Sequence, residues 1–295
     1  MGIVLNNFLK SLIPPILLIK LFRLRGYVQF WEFKKLVAKN VKLKDIHKGE
    51  RCFLLGSGPS IKKENLLSLK GEIVFALNNF YVHKDFAEIM SGNKPKYYMT
   101  APIHPPQTDD EWLMWFKDME SKIPKDVNML FGLSAYKKNI KYIFDKYEIF
   151  KREKINWYFS GISLDKSYKF KKRHIDLVNP IWSASTVSTY AILAAIYMGF
   201  SEIYLLGVDH NYICIDVESN FRFYKSSIHQ NNEMSRIKNV KSDLLLNTAQ
   251  TFFEKELIQK NCKNQKIYNC SQRSLLDMFK KIKLKDIIKL DENFK

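Results

Sequence analysis

The four cysteines, Cys52, Cys214, Cys262 and Cys270, show no paired spacing. That argues against a disulfide framework and against a zinc site, and it suits a reducing compartment. Long apolar runs are missing as well. The stretch Leu12 to Ile19 is too short to span a bilayer and is broken by Pro14 and Pro15. It has no small-residue cleavage site, which argues against a secretory signal. No internal repeat and no low-complexity tract occurs. Acidic side chains are scarce: 30 Asp and Glu stand against 48 Lys and Arg, a net charge of +18. The hydrophobic share of 46% excludes a disordered chain, and 295 residues suffice for one large domain or two small ones. The charge admits nucleic acid, an anionic membrane surface or an acidic substrate as partner, beside a Lys- and Asn-rich habit that implies none.

What is present begins with Cys52-Phe53-Leu54-Leu55, an apolar run that reads as a buried parallel strand. It enters the turn Gly56-Ser57-Gly58-Pro59-Ser60, and Leu66, Leu67 and Leu69 then suggest a helix. A strand, a glycine turn and a helix N-terminus gather backbone N–H groups at one point, which suits a phosphate. Ser60 is a candidate cap, with Glu64 in support. Such corners are also common architecture.

Residues 1–50 form a separate amino-terminal segment. Met1 to Trp31 holds Lys10, Lys20, Arg23 and Arg25 and no acid, mixed with Leu21, Phe22, Leu24, Tyr27, Val28, Phe30 and Trp31. This is either an interfacial amphipathic segment or a helix docked on the protein's own core. Residues 51–295 read as an α/β unit. Strands are expected at Glu72–Leu77, ending in Asn78-Asn79, at Tyr97–Thr100 and at Asn128–Leu133, with a helix opened by Asp109-Asp110-Glu111. Tyr136 to His174 carries twelve basic and four acidic side chains and reads as a peripheral helical insertion, about residues 136–174.

A second corner follows at Ile181 to Tyr190. Ser183, Ser185, Thr186 and Ser188 crowd the start of a small-residue helix that Gly199 closes. One hydroxyl suffices for a cap, so four suggest an anion. The strand Glu202–Val208 ends in Asp209-His210-Asn211-Tyr212, where doubly wound sheets place ligands. Asp209 and His210 are adjacent rather than facing, so no metal site is expected. A loop at about 213–240 suggests a lid, and its His229 is a candidate base or a plain exposed histidine. A helix from Leu244 to Gln259, a strand at Lys266–Cys270 and a helix beginning at Ser274–Phe279 complete the expectation.

Four segments together carry a family resemblance: Leu55–Ser60, Leu77–Tyr81, Met198–Asp209, and Ile267–Ser271 with Ser274–Leu276. In order and spacing, over roughly residues 50–280, they resemble the bacterial lipooligosaccharide sialyltransferases of glycosyltransferase family 42. They are also similar to the surface-glycan proteins related to motility-accessory-factor glycosyltransferases and archaeal hydroxymethylpterin diphosphokinases. The resemblance implies a Rossmann-like, mostly parallel sheet with helices on both faces, a variant of the GT-A type. It implies a CMP-activated nonulosonic acid as donor, with no metal and no cofactor. The absence of any Asp-x-Asp motif agrees with that.

Carried over by position, the resemblance puts Gly56, Ser57 and Gly58 against the nucleotide phosphate and ribose. It puts Asn78, with Asn79 beside it, on the nucleotide or donor sugar. Thr100 or Ala101 stands where another asparagine is expected. Ser185 to Val187, with Thr186 between, would bind the donor carboxylate. Tyr212, next to Asn211, would stabilise the departing phosphate, and His229 would take the acceptor proton. The chain departs from the family at Trp182-Ser183-Ala184, which lacks its arginine, and at Ser57, which replaces an asparagine. The implied partners are a nucleotide-sugar donor, a glycan or lipid-linked acceptor and an anionic membrane surface at the inner face of the plasma membrane. A homo-oligomer is possible. Nucleic acid is not expected, since it would leave both corners unexplained. A pterin or nucleotide diphosphokinase is the rival enzyme, and it requires magnesium and an aspartate cluster.

Overall fold

Residue Phe53 packs to one side of its strand while Cys52 and Leu54 pack to the other, and all are fully buried. The same holds for Val74 and Ala76 against Phe75 and Leu77. A strand covered on both faces must be apolar at every position, hence the unbroken hydrophobic runs. The computed structural model describes residues 13–162, 170–211, 222–224 and 240–292. The strands are β1 (Arg51–Leu55), β2 (Val74–Leu77), β3 (Lys96–Thr100), β4 (Asn128–Ser134), β5 (Ile155–Ile162), β6 (Ile181–Trp182), β7 (Glu202–Leu206), β8 (Lys266–Asn269) and β9 (Lys280–Lys281). They form one sheet in the order β6-β5-β4-β3-β2-β1-β7-β8-β9, with every described pair parallel. The fold is thus the expected α/β, Rossmann-like parallel sheet with helices on both faces.

One face carries α1 (Pro15–Val37), the short α2 (Phe86–Met90), α3 (Asp109–Lys122), α4 (Ile140–Tyr147) and α7 (Leu284–Glu292). Its centre is aromatic, with Phe116, Phe131, Phe144 and Phe150 in mutual ring contact at 4.8 to 6.2 Å. Each fully buried ring of this kind contributes about 1.5–3 kcal/mol. The other face carries α5 (Val187–Tyr197) and α6 (Val240–Asn261). Helix α5 is apolar all round and is buried from Ser188 to Tyr197. Gly199, at φ +88°, closes it. Helix α3 opens with a capping box: the Glu111 N–H donates to Thr108 Oγ1 (3.3 Å) and the Thr108 N–H donates to the Glu111 carboxylate (2.8 Å).

The chain lays strands outward from β1 to β6, then returns through α5 to place β7 on the other side of β1. Between β1 and β7 the winding reverses, and doubly wound sheets place their ligand crevice at such a switch point, at the carboxyl ends of the strands.

Three expectations are corrected. The tract at 136–174 is not a helical insertion: among its described residues only α4 is α-helical, and β5 pairs in parallel with β4 and β6. Trp157 and Phe159 face one layer and Tyr158 the other, all buried, while Lys151, Arg152 and Lys154 lie in the connection before the strand. After β1 there is no α-helix but two 3-10 turns, Pro59–Lys63 and Leu66–Leu69, because Glu64 is extended (φ −95°, ψ 142°) and breaks the run. Ser274–Phe279 starts no helix. Its polar groups are turned to the β7 loop, with the Leu275 N–H donating to the Asp209 carbonyl (3.2 Å) and Ser274 Oγ to the Val208 carbonyl (3.1 Å). In the amino-terminal segment Phe30, Val37, Asn40 and Leu43 are buried in the α/β unit, which is the docked one of the two readings for that stretch. Most of the expected lid, including His229, lies outside the described residues, as does Tyr212.

Candidate active site at the switch point

The first corner is a clasp between β1 and β7. The Gly56 N–H donates to the Leu206 carbonyl and the Gly58 N–H to the Gly207 carbonyl, both at 2.8 Å. A methyl group at Gly56 would lie 2.4 Å from the Gly207 carbonyl oxygen, and one at Gly58 would lie 2.6 Å from the Asp209 carboxylate. Glycine is therefore required here by the close approach of β7, not by a ligand. Ser60 caps no helix: its N–H donates to Asp209 Oδ2 (2.9 Å) and its hydroxyl to Oδ1. These three N–H groups are thus committed within the protein, at the corner where the resemblance puts Gly56, Ser57 and Gly58 against the nucleotide phosphate and ribose.

Ser57 is the exception in this corner. It is buried, and its hydroxyl accepts from Arg222 Nη1 at 2.8 Å while its carbonyl accepts from the Phe223 N–H at 2.9 Å. The segment 222–224 therefore straps the end of β1. Tyr224 continues the strap by accepting from the Asn79 amide at 2.8 Å, and Asn79 Oδ1 accepts in turn from Trp115 Nε1 at 2.6 Å. Asn78 adopts a left-handed backbone (φ 48°). Its carbonyl accepts from the Tyr98 hydroxyl, and its Oδ1 accepts from the Ala101 N–H at 3.3 Å. Thr100 is fully buried, and its carbonyl accepts from Tyr158 at 2.8 Å. Both asparagines thus serve the framework at the carboxyl ends of β2 and β3. Phe223 and Tyr224 also line an open cleft of about 660 Å³, with Lys62, Lys63, His83 and Lys84 on its wall and Glu64 and Asp85 between them. That volume lies in the range of small-molecule sites.

The second corner is already filled. The Ser185 N–H and hydroxyl donate to Glu254 Oε1 at 2.9 and 2.7 Å, and the Thr189 hydroxyl donates to Oε2 at 3.1 Å. The carboxylate seated at the N-terminus of α5 is therefore the protein's own, from α6, where the sequence suggested a donor carboxylate at Ser185 and Thr186. Ser183 is exposed and outside this network. Lys255 reaches Ser188 Oγ (3.0 Å), Thr189 Oγ1 (3.2 Å), Thr186 Oγ1 (3.4 Å) and His210 Nε2 (3.4 Å). Ser188 Oγ lies 3.3 Å from the same His210 nitrogen. Glu254 and Lys255 are fully buried, and Asp209 and His210 nearly so.

Burial pushes Lys255 down to about 7, with Glu254 opposing the shift, and burial raises Glu254, with Ser185 and Lys255 opposing. His210 is held well below the usual histidine range, first by burial and then by the cations Lys255 and Arg222. It is neutral near pH 7. Asp209 and His210 turn into different networks, and among the described residues no three His, Cys, Asp or Glu side chains are grouped to hold a metal ion. Asn211 is half-buried at the end of the described β7 loop.

No protein-family model and no curated protein matches the chain. Among solved structures it is similar to the sialyltransferase CstII from Campylobacter jejuni in complex with the substrate analogue cytidine-5'-monophosphate. The TM-score is 0.43 at 20% identity, over 80% of this chain and 85% of that one. It is similar also to CstII with CMP-3FNeuAc, at a TM-score of 0.40 and 19% identity, over 79% and 85%.

Sequence reasoning brought Ser57, Asn78, Asn79, Thr100, Asp209, His210 and the hydroxyls of the second corner to one edge of the sheet, and the structure places them there. It missed Arg222, Glu254 and Lys255. Arg222 lies in the stretch read only as a lid. Glu254-Lys255 sits between Phe252-Phe253 and Leu257-Ile258 on α6, so a charged pair within an apolar helical stretch was the one available signal.

Proposed function

We propose that this chain is a metal-independent glycosyltransferase that moves a sugar, of the sialic-acid-like nonulosonic class, from a CMP donor to a glycan or lipid-linked acceptor. The observation that carries the reading is the placement of two basic side chains at the switch point, Arg222 on Ser57 at the end of β1 and Lys255 beside Ser188 and His210 at the end of β7. A nucleotide phosphate binds where winding reverses, and two cations in a water-poor setting stabilise the charge that develops as it departs. Arg222, held by Ser57 at the mouth, is the contact residue, and Lys255 acts through its field from beneath.

In the reaction the bond from the anomeric carbon to the phosphate oxygen breaks, and CMP leaves with the electron pair. The acceptor oxygen bonds to the same carbon and its proton passes to a base. By the resemblance that base is His229, and Tyr212 assists the departing phosphate. The polar, lysine-lined cleft beside the strap offers room for the rest of an anionic donor or for the acceptor.

The test is a thermal-shift panel of CMP, CDP, UDP, GDP and ATP, each with and without magnesium. Binding to the native state raises the melting temperature by mass action. The reading expects a magnesium-independent shift with CMP, and loss of sugar release from a CMP-sugar in His229→Ala. A shift with ATP and magnesium alone would replace it with a phosphotransferase, and no shift with any nucleotide would overturn it.

A further inference from the structure

Helix α1 has two unlike ends. Its second half is docked: Phe30 and Phe33 pack on Phe159 of β5, with ring centroids 5.6 and 6.1 Å apart. A methyl group at Gly26 would lie 2.9 Å from the Gly161 carbonyl, so the helix and strand cross closely there. Just beyond α1, Asn40 Nδ2 donates to the Trp157 carbonyl at 2.7 Å. As the chain advances from 26 to 40, its partners on β5 retreat from 161 to 157. Helix α1 therefore runs antiparallel to β5, and its amino-terminal end points past the carboxyl edge of the sheet. From Gly26 back to Pro15 this amounts to about 16 Å of helix.

Along the outer side of the helix, from the projecting half into the docked one, described side chains are left uncovered by the described fold. Leu17, Leu21, Leu24, Val28 and Trp31 recur at spacings of four and three and form one stripe along the helix, with exposures of 42 to 66%. Ile16 flanks them at 68%. Five large apolar side chains on one solvent-facing stripe are more than the scattered exposure of an ordinary surface. Lys20 and Arg25 are exposed beside the stripe, Arg23 lies between them in sequence, and Glu32 is the first acidic residue of the helix. A second copy laid on this stripe would bring like charges together. An anionic surface would meet both the apolar stripe and its cations.

We propose that residues 16–31 of α1 dock in the interfacial layer of an anionic lipid bilayer. No described helix is long and apolar enough to cross a membrane, so the helix lies on the surface with its apolar stripe inserted. Docking turns the α1-covered face of the sheet to the bilayer, with the strands, like the helix, running along the surface. Strand β5 is four strands from β1, about 19 Å at the usual spacing, so the crevice sits beside the lipid surface. That an acceptor there is lipid-borne rests on the transferase reading; the docking itself does not.

The experiment is co-sedimentation of the full chain with vesicles of phosphatidylcholine alone or with about one third phosphatidylglycerol. It is run at about 0.1 M and about 1 M salt, and in parallel the oligomeric state is measured without vesicles. The proposal expects pelleting with the anionic vesicles only, weakened by salt. It expects a loss of about tenfold or more in Leu21→Glu/Leu24→Glu, and a smaller loss in Lys20→Ala/Arg25→Ala. All of these side chains are exposed, so melting temperature and the CMP shift should be retained. Equal pelleting by wild type and the glutamate variant overturns the docking, as does a stable dimer through this stripe with no vesicle binding. A missing CMP shift with intact pelleting would overturn the transferase reading alone.

Discussion

The two corners of the crevice look alike in sequence, each a cluster of glycine or hydroxyl residues next to a strand, yet they are built on different principles. At the end of β1 the polar groups face backbone: Gly56 and Gly58 donate to carbonyls of the β7 loop, and only the Ser57 side chain is left for Arg222. At the start of α5 they face two buried charged groups of α6, with three donors on Glu254 and three hydroxyl oxygens around Lys255. An N-terminus that prefers an anion has been given one by the fold itself. A surplus of capping groups is thus a sign of an anion without telling whose anion it is.

The comparison breaks most sharply at Lys255. Lys255→Met leaves Glu254 buried beside Ser185 without its cation and is expected to cost about 3 kcal/mol. Adding Glu254→Gln should restore most of that, because an amide needs no counter-charge. Urea denaturation of both single variants and the double closes the cycle, and strictly additive costs would refute the pairing. The pH dependence has a definite sign. Lys255 titrates near 7 in the fold against an ordinary value of 10.5, so below about 7 it is charged in both states and the burial penalty is whole. As pH rises from about 7 toward 10.5 the unfolded chain binds the extra proton, and the stability of the wild type relative to Lys255→Met should rise.

How far such a site could be read in advance depended on what the residues were surrounded by. The strands at Cys52–Leu55 and Val74–Leu77 were legible because burial on both faces leaves no polar position to blur them. Helix α3 was announced by its acidic first turn, and α5 by its run of small apolar residues ended at Gly199. Strand β5 was hidden because Lys151, Arg152 and Lys154 precede it, and a count of charges outweighed the buried alternation of Trp157, Tyr158 and Phe159. The 3-10 turns after β1 were mistaken for a helix because Leu66, Leu67 and Leu69 also satisfy helical spacing. Glu254 and Lys255 were easy to pass over for a deeper reason. Adjacent opposite charges on a helix are the commonest surface pattern, and only the hydroxyls of α5, far away in sequence, make burial tolerable.

A smaller effect tests the steric half of the first corner. Gly56→Ala would put a methyl group 2.4 Å from a backbone oxygen and 3.2 Å from Val208 Cγ2, and backbone cannot rotate out of the way. The expected loss is about 1–3 kcal/mol, read as a lower melting temperature. Gly71 is the matched control, since nothing lies within 4 Å of the added methyl. If Gly71→Ala costs as much as Gly56→Ala, the close approach of β7 is not what requires glycine.

The smallest effect on stability, and the most telling for function, is expected at Ser57. Its hydroxyl is the one polar side-chain group of this corner that faces the strap rather than the β7 loop, and Arg222 Nη1 is its partner. Removing it in Ser57→Ala costs about one neutral-to-charged hydrogen bond, roughly 1.5 kcal/mol, part of which water recovers at the half-buried Arg222. Stability should therefore change little. If Arg222 meets the nucleotide phosphate, however, losing the group that aims it should weaken CMP binding by several-fold, while Arg222→Ala should weaken it further. Isothermal titration of the two variants and the double separates the possibilities. A double variant no weaker than Arg222→Ala alone means that Ser57 acts through the guanidinium. Additive losses mean that the serine meets the nucleotide itself, and unchanged affinity in both single variants removes Arg222 from the site.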